Sequence, residues 1–185
     1  EKQEKILVVQ SLDLNNRDED EFINNVFKEN ILLSISHIPI LDRNTQGETG
    51  RYKGFTLQPG EVFAFHENVL PEYKEKVIRT MGSKFIASEG YLSSGWIFGD
   101  GVCHLASLIN WAASSAGMET IAKVRHDFRS IPDVPRHYWT SIRYSKSGNN
   151  SQNQNLYIIN RFDYTVEFRF KADENRAELK ILKMN

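Results

Sequence analysis

The chain is expected to fold as α+β, with a central helix bearing a cysteine at its N-terminus, buried and packed on a mainly antiparallel sheet. Three observations lead there. Residues 102–116 place apolar side chains on nearly every side of a helix, the pattern of a buried one. The segments that follow are β-rich and come in a run, without helices between them, which is the α+β order of elements. The 185 residues suit one domain with at most an appendage. A chain of this size hides about 70% of its unfolded surface on folding, so neither disulfide nor metal is required. Residues 1–30 read as an N-terminal strand and helix extension, and 31–185 as the domain proper.

The elements can be taken in order. KILVVQ (5–10) is a short apolar strand. Leu14, Phe22, Ile23, Val26 and Phe27 then fall loosely on one helical face, with Asn15 or Asn16 as cap. ILLSISHIPILDRN (31–44) reads as strand and runs into a polar turn, where Gly47, Gly50 and Gly54 mark an exposed loop. Pro59-Gly60 turns the chain into a strand carrying Val62, Phe63 and Phe65. Residues 70–101 mix a short helix, a strand near 84–87 and Gly/Ser-rich loops suited to shaping a cleft. The 102–116 helix stops at Gly117, in the left-handed position glycine accepts. Strands are expected at 120–125, 138–144, 155–160, 165–170 and 178–182, with SKSGNNSQNQN (145–155) as a polar hairpin loop.

Composition narrows the function classes. Lys plus Arg is 23 against 24 Asp plus Glu, a net charge of -1, so no nucleic-acid partner is expected. One cysteine excludes an intramolecular disulfide and a Cys-rich zinc site. The histidines have no metal-ligand spacing, and neither metal nor cofactor is expected. The longest apolar runs fall well short of the ~20 residues that cross a bilayer. A soluble monomer is expected.

Several separated motifs then agree in order. LQPGEVFAFHENV (57–69), GDGVCHLASLINWAASSAGMETI (99–121), Arg125-His126, Val134-Pro135 and NRFDYTVEFRF (160–170) resemble the VanW-like domain family over about residues 31–171. The family is named for an accessory protein encoded with vancomycin-resistance genes, and its members are often secreted or anchored bacterial cell-surface proteins. The resemblance therefore implies an extracellular or cell-surface location and a cell-wall peptide or glycan as partner. The chain departs from the family pattern at Asp100 in the glycine turn, at His104 in place of glutamine, at Phe128 in place of a second histidine and at Trp139 in place of an aspartate.

Cys103 follows Gly101 in the first turn of its helix, where unpaired N–H groups and the helix dipole favour a thiolate. Papain-like and transglutaminase-like enzymes place a nucleophile in this way and take a histidine base from a following strand. His126, which matches the family histidine, is the first choice of base and His137 the second. His104 adjoins Cys103, but helical neighbours point about 100° apart. Asp127, Asn155 or Asn160 would orient the base. Backbone N–H groups of Gly101, Val102 and Cys103 would hold an oxyanion, and His66, His104, Arg125 and Trp139 complete the candidate substrate shell. Two readings result. One is a cysteine hydrolase or acyl-transfer protein acting on cell-wall peptide or amide bonds; the other is a non-catalytic module binding peptidoglycan or a precursor through the same cleft, with a degenerate site. A lone cysteine heading a buried helix can also be inert packing.

Overall fold

The computed structural model describes residues 5–45, 48–147 and 150–184. Gly47 of the expected loop and part of the 145–155 polar run, residues 148 and 149, lie outside them. The architecture is α+β, with two helices and mostly antiparallel sheets.

Strand β1 (Lys5–Asp13) leads to helix α1 (Glu21–His37), then β2 (Ile40–Thr45), β3 (Glu48–Leu57), β4 (Val62–Ala64) and β5 (Val77–Arg79). Helix α2 (Val102–Ser115) is followed by β6 (Glu119–Ala122), β7 (Leu156–Ile159), β8 (Thr165–Ala172) and β9 (Arg176–Met184). A five-stranded sheet has the order β1-β9-β8-β3-β2, antiparallel throughout. A four-stranded sheet has the order β5-β4-β7-β6, in which the β4–β5 pair is parallel.

The helices differ in how far the sequence foretold them. Near α2 the expectation holds to one residue, and Gly117 takes φ 82° behind it. α1 is longer and later than expected. Asp20, not Asn15 or Asn16, caps it, its Oδ1 accepting the Ile23 N–H at 3.0 Å, and the helix continues to His37, just ahead of Pro39. The expected strand from Ile31 is therefore helix up to His37. Phe27, Ile31, Ser34, Ile35 and Ile38 are buried at helical spacing, and packing against α2 decides between the two periods. Gly50 and Gly54 lie in β3 and not in a loop. A Cβ on Gly54 would come within 2.4 Å of the Phe168 carbonyl oxygen, so glycine here permits the close β3–β8 approach. No strand forms at 84–87, where a short 3-10 turn begins at Ala87. The segment 138–144 is not a strand either; a 3-10 turn (Arg136–Tyr138) opens it and irregular chain follows.

One core joins both sheets to α2. Phe55 of β3 stacks on Phe63 of β4 at 4.9 Å and on Phe168 of β8 at 4.8 Å. Leu105, Leu108 and Ile109 of α2 are fully buried in the same cluster, as is Leu12 of β1. Each such side chain contributes roughly 1.5–3 kcal/mol.

Fully buried Asn30 of α1 fixes the approach to α2. Its Oδ1 accepts the Leu92 N–H at 2.8 Å, and its Nδ2 donates to the Leu92 carbonyl at 3.0 Å and the Asp100 carbonyl at 2.8 Å. Asn30→Ala removes all three bonds and leaves the part-buried Leu92 N–H and Asp100 carbonyl without this partner. A loss of at least about 3 kcal/mol is expected, read as a lowered urea midpoint at unchanged m; a shift below about 1 kcal/mol would show that Asn30 does not hold this loop.

Candidate functional site

Cys103 is the second residue of α2. Its sulfur accepts the Ile142 N–H at 3.3 Å and donates to the Ile142 carbonyl at 3.7 Å. It heads a polar stripe along the helix. Ser107 Oγ donates to the Cys103 carbonyl at 2.7 Å and accepts the Thr140 N–H at 2.9 Å. Asn110 Nδ2 donates to the Tyr138 carbonyl and to Thr140 Oγ1, each at 3.0 Å. Alternate residues 138, 140 and 142 thus face α2. Ser141 and Arg143 face the chain that flanks β6 and β7, Ser141 N–H donating to the Val124 carbonyl at 2.9 Å and Arg143 N–H to the Gln154 carbonyl at 3.0 Å. This segment has the two-sided backbone pattern of a strand, with helix side chains serving as one of its neighbours.

The chemistry of the sulfur follows from this setting. Cys103 keeps some exposed surface, but desolvation is the largest influence on its thiol and the Asp100 carboxylate adds to it. The Ile142 hydrogen bond opposes them only in part, and the thiol is pushed up from 9.0 to about 11. Among the described residues both hydrogen-bond partners of the sulfur are Ile142 backbone groups, and no histidine nitrogen is among them.

The turn before the helix is tightly built. Gly101 has φ 95°, and a Cβ there would lie 2.6 Å from the Phe27 Cα, so conformation and space both require glycine. The Val102 N–H donates to the Gly99 carbonyl at 3.1 Å and is engaged within the turn.

His104 and His126 come together. Their ring centroids are 6.3 Å apart and nearly perpendicular, and the His104 ring also meets Phe27 edge-on at 5.1 Å. His126 Nδ1 donates to the Arg129 carbonyl at 3.0 Å; since a carbonyl only accepts, Nε2 is its basic nitrogen. Phe128, 79% exposed, leans on the His126 ring at 4.0 Å. Buried His104 Nδ1 has no hydrogen-bond partner among the described residues. Burial holds His104 well below its ordinary pKa, helped by Arg17, His126 and Arg129, and burial lowers His126 as well.

Of the other sequence candidates, Arg125 and Asp127 flank His126 in the chain, and none is hydrogen-bonded to either ring. His137 is exposed on the 3-10 turn beside Tyr138. Buried His66 donates its backbone N–H to Asn155 Oδ1 at 3.1 Å and its Nε2–H to the Gln154 carbonyl at 3.0 Å, and burial lowers its pKa. Arg125 and Arg136 both lie 3.6 Å from Asp127. Trp139 Nε1 donates to the Val134 carbonyl at 2.8 Å. Asn160 Nδ2 bridges the Leu57 and Tyr164 carbonyls at 2.8 and 2.9 Å. None of Asp127, Asn155 and Asn160 is the hydrogen-bond partner of His126.

Residues 92–98, part of the 70–101 stretch read from sequence as shaping a cleft, form a small hairpin at this end of the molecule. Ser93 and Phe98 bridge, Gly95 turns at φ 108°, and Asp100 Oδ2 accepts from the Ser94 N–H and Oγ, each at 2.8 Å. The hairpin presents Trp96, Ile97 and Phe98 at 81%, 52% and 53% exposure. Three consecutive large apolar residues outside any periodic element were the readable signal. Among the described residues no cluster of three or more His, Cys, Asp or Glu could hold a metal, and no helix is long and apolar enough to cross a membrane.

The fold and site define a two-sheet α+β domain organised around a cysteine-headed helix that follows a glycine turn. The chain belongs to the family described as VanW like protein, whose model matches residues 42–182. No curated protein and no solved structure matches the chain at a significant level.

Two titrations test these environments. The Cys103 thiol has its folded pKa raised, so its stabilisation is complete below about pH 9 and is lost as pH rises towards about 11. Wild type should lose stability over that window relative to Cys103→Ser, and Cys103→Ala should cost about 1–3 kcal/mol at neutral pH by leaving Ile142 unpaired. His104 has its folded pKa depressed, so its stabilisation is present above about 6.5 and falls away below it. Urea midpoints at pH 7 and pH 5 should differ less in His104→Gln than in wild type; an unchanged difference would show that His104 does not resist protonation.

Proposed function

We propose that the chain is a non-catalytic VanW-like module of the bacterial cell surface that binds peptidoglycan or a precursor, with Cys103 as a structural residue. The observation that carries this reading is the engagement of the Cys103 sulfur with Ile142. A cysteine nucleophile acts as thiolate. With the thiol at about 11, only roughly one molecule in ten thousand carries it at neutral pH. The cell-surface location and the cell-wall partner rest on the family resemblance.

The best binding element on the molecule is the 92–98 hairpin. Exposed apolar patches mark interaction sites, and this one is held by Asn30 and Asp100 in a set shape, so little conformational freedom is lost on binding. The flat Trp96 ring can lie against a sugar face, with Ile97 and Phe98 against apolar parts of a stem peptide.

The second reading, cysteine acyl transfer, draws on the position of Cys103 in the first turn of α2. It requires the sulfur to leave Ile142 and gain a histidine partner. Iodoacetamide alkylation across pH separates the two. Reaction that sets in only above about pH 9 and is indifferent to His126→Ala supports the binding module. An apparent pKa well below 8.5 that is lost in His126→Ala overturns it. In parallel, co-sedimentation with purified peptidoglycan sacculi should persist in Cys103→Ser and fall at least tenfold in affinity in Trp96→Ala. Absence of wild-type co-sedimentation would refute cell-wall binding.

A further inference from the structure

A groove lies between β5 and the corner where α1 hands over to β2. Its walls are His37 and Pro39 on one side and residues 77–80 on the other, and its volume is about 280 Å³. This is below the roughly 300–1,000 Å³ of a typical small-molecule pocket.

Its lining points to a chain-like occupant. Side chains of a strand alternate between its two faces, so four consecutive residues line one groove only where it runs along the strand's edge. β5 is the outermost strand of its sheet, and β4 occupies its other edge. Val62 N–H takes the Lys76 carbonyl in the parallel β4–β5 ladder, which turns the N–H and C=O of Val77 away from β4. An edge like this accepts an additional strand. A short strand bearing a charge is also how sheets resist such pairing, but here Ile78 is 44% exposed and a wall of His37 and Pro39 stands opposite.

The charge selects the partner. None of the lining residues is acidic, whereas Arg79 is exposed and makes no ion pair among the described residues. Thr80 and His37 add hydrogen-bonding groups along the same groove. We propose that the edge of β5 binds an extended peptide segment of a protein partner, in which carboxylate side chains alternate with apolar ones. The main chain of the segment would pair with Val77, its apolar residues would cover Ile78 and Pro39, and a carboxylate would meet Arg79.

The test is fluorescence anisotropy of the full chain with two labelled hexapeptides, Thr-Val-Glu-Val-Glu-Val and the same peptide with Lys for Glu. The acidic peptide is expected to bind at least tenfold more tightly than the basic one. Arg79→Glu, at an exposed position, should leave the thermal midpoint unchanged and abolish or reverse the preference. Trp96→Ala should leave it intact, which separates this surface from the hairpin. Equal binding of both peptides, or binding of neither, overturns the proposal. So does sedimentation velocity that shows a dimer dispersed by Arg79→Glu, because the edge would then be filled by a second copy of the chain.

Discussion

The arrangement on which the site depends is the polar stripe of α2. Cys103, Ser107 and Asn110 stand at helical positions i, i+4 and i+7, on one face of a largely apolar helix. A buried helix normally keeps such a face apolar, because an unpaired polar group in the core costs about 1–3 kcal/mol. Here each polar group is matched to a backbone group of residues 138–142, which cross the helix without a strand beside them on that side. The stripe and the irregular segment satisfy one another. Neither is stable in its observed form without the other.

The opposite side of the same helix end is fixed from the N-terminal part of the chain. Asn30 secures the loop leading to Gly101, and Gly101 packs directly on the backbone of Phe27. Buried Arg17 extends the same logic to the far turn, donating to the Asp13 carbonyl at 2.7 Å and the Pro132 carbonyl at 3.1 Å and pairing with Asp133. The start of α2 is thus held between α1 and the 131–142 segment. In such a setting Cys103 has little freedom to turn towards a histidine.

What could be read from the sequence was whatever its own periodicity encodes. Val102 to Ser115 is apolar over most of its helical faces and is followed by Gly117, so its limits were legible, as were β7, β8 and β9 from their alternating or continuous apolar runs. The second half of α1 was hidden because Ile31, Leu33 and Ile35 alternate as a strand would, while in the fold Ile31, Ser34 and Ile35 are buried together at helical spacing, with Ser34 bonded to Asn30 and Tyr91. Segment 138–144 misled for a different reason. It is β-rich and largely extended, but half of its backbone partners are side chains, and no local pattern announces a helix as the neighbour of a strand. Cys103 was legible as a residue of interest; its engagement with Ile142, 39 positions away, was not.

The departures from the family pattern gain a physical sense in this frame. The histidine at position 104, where the family pattern has glutamine, is held neutral by desolvation and stands against Phe27 and His126. Phe128, in place of a second histidine, lies against the His126 ring and adds no titratable group beside it. Trp139, in place of an acid, removes a carboxylate and uses its indole N–H to hold the Val134 turn. Two of the three, Phe128 and Trp139, exchange ionisable groups for packing and a local hydrogen bond. Those two lower the number of ionisable groups available to an acid–base mechanism, which would need a carboxylate to support a protonated imidazole. The same changes leave the exposed apolar hairpin untouched, because the segment carrying Trp96, Ile97 and Phe98 is held through Asn30 and Asp100 and not through the histidine pair.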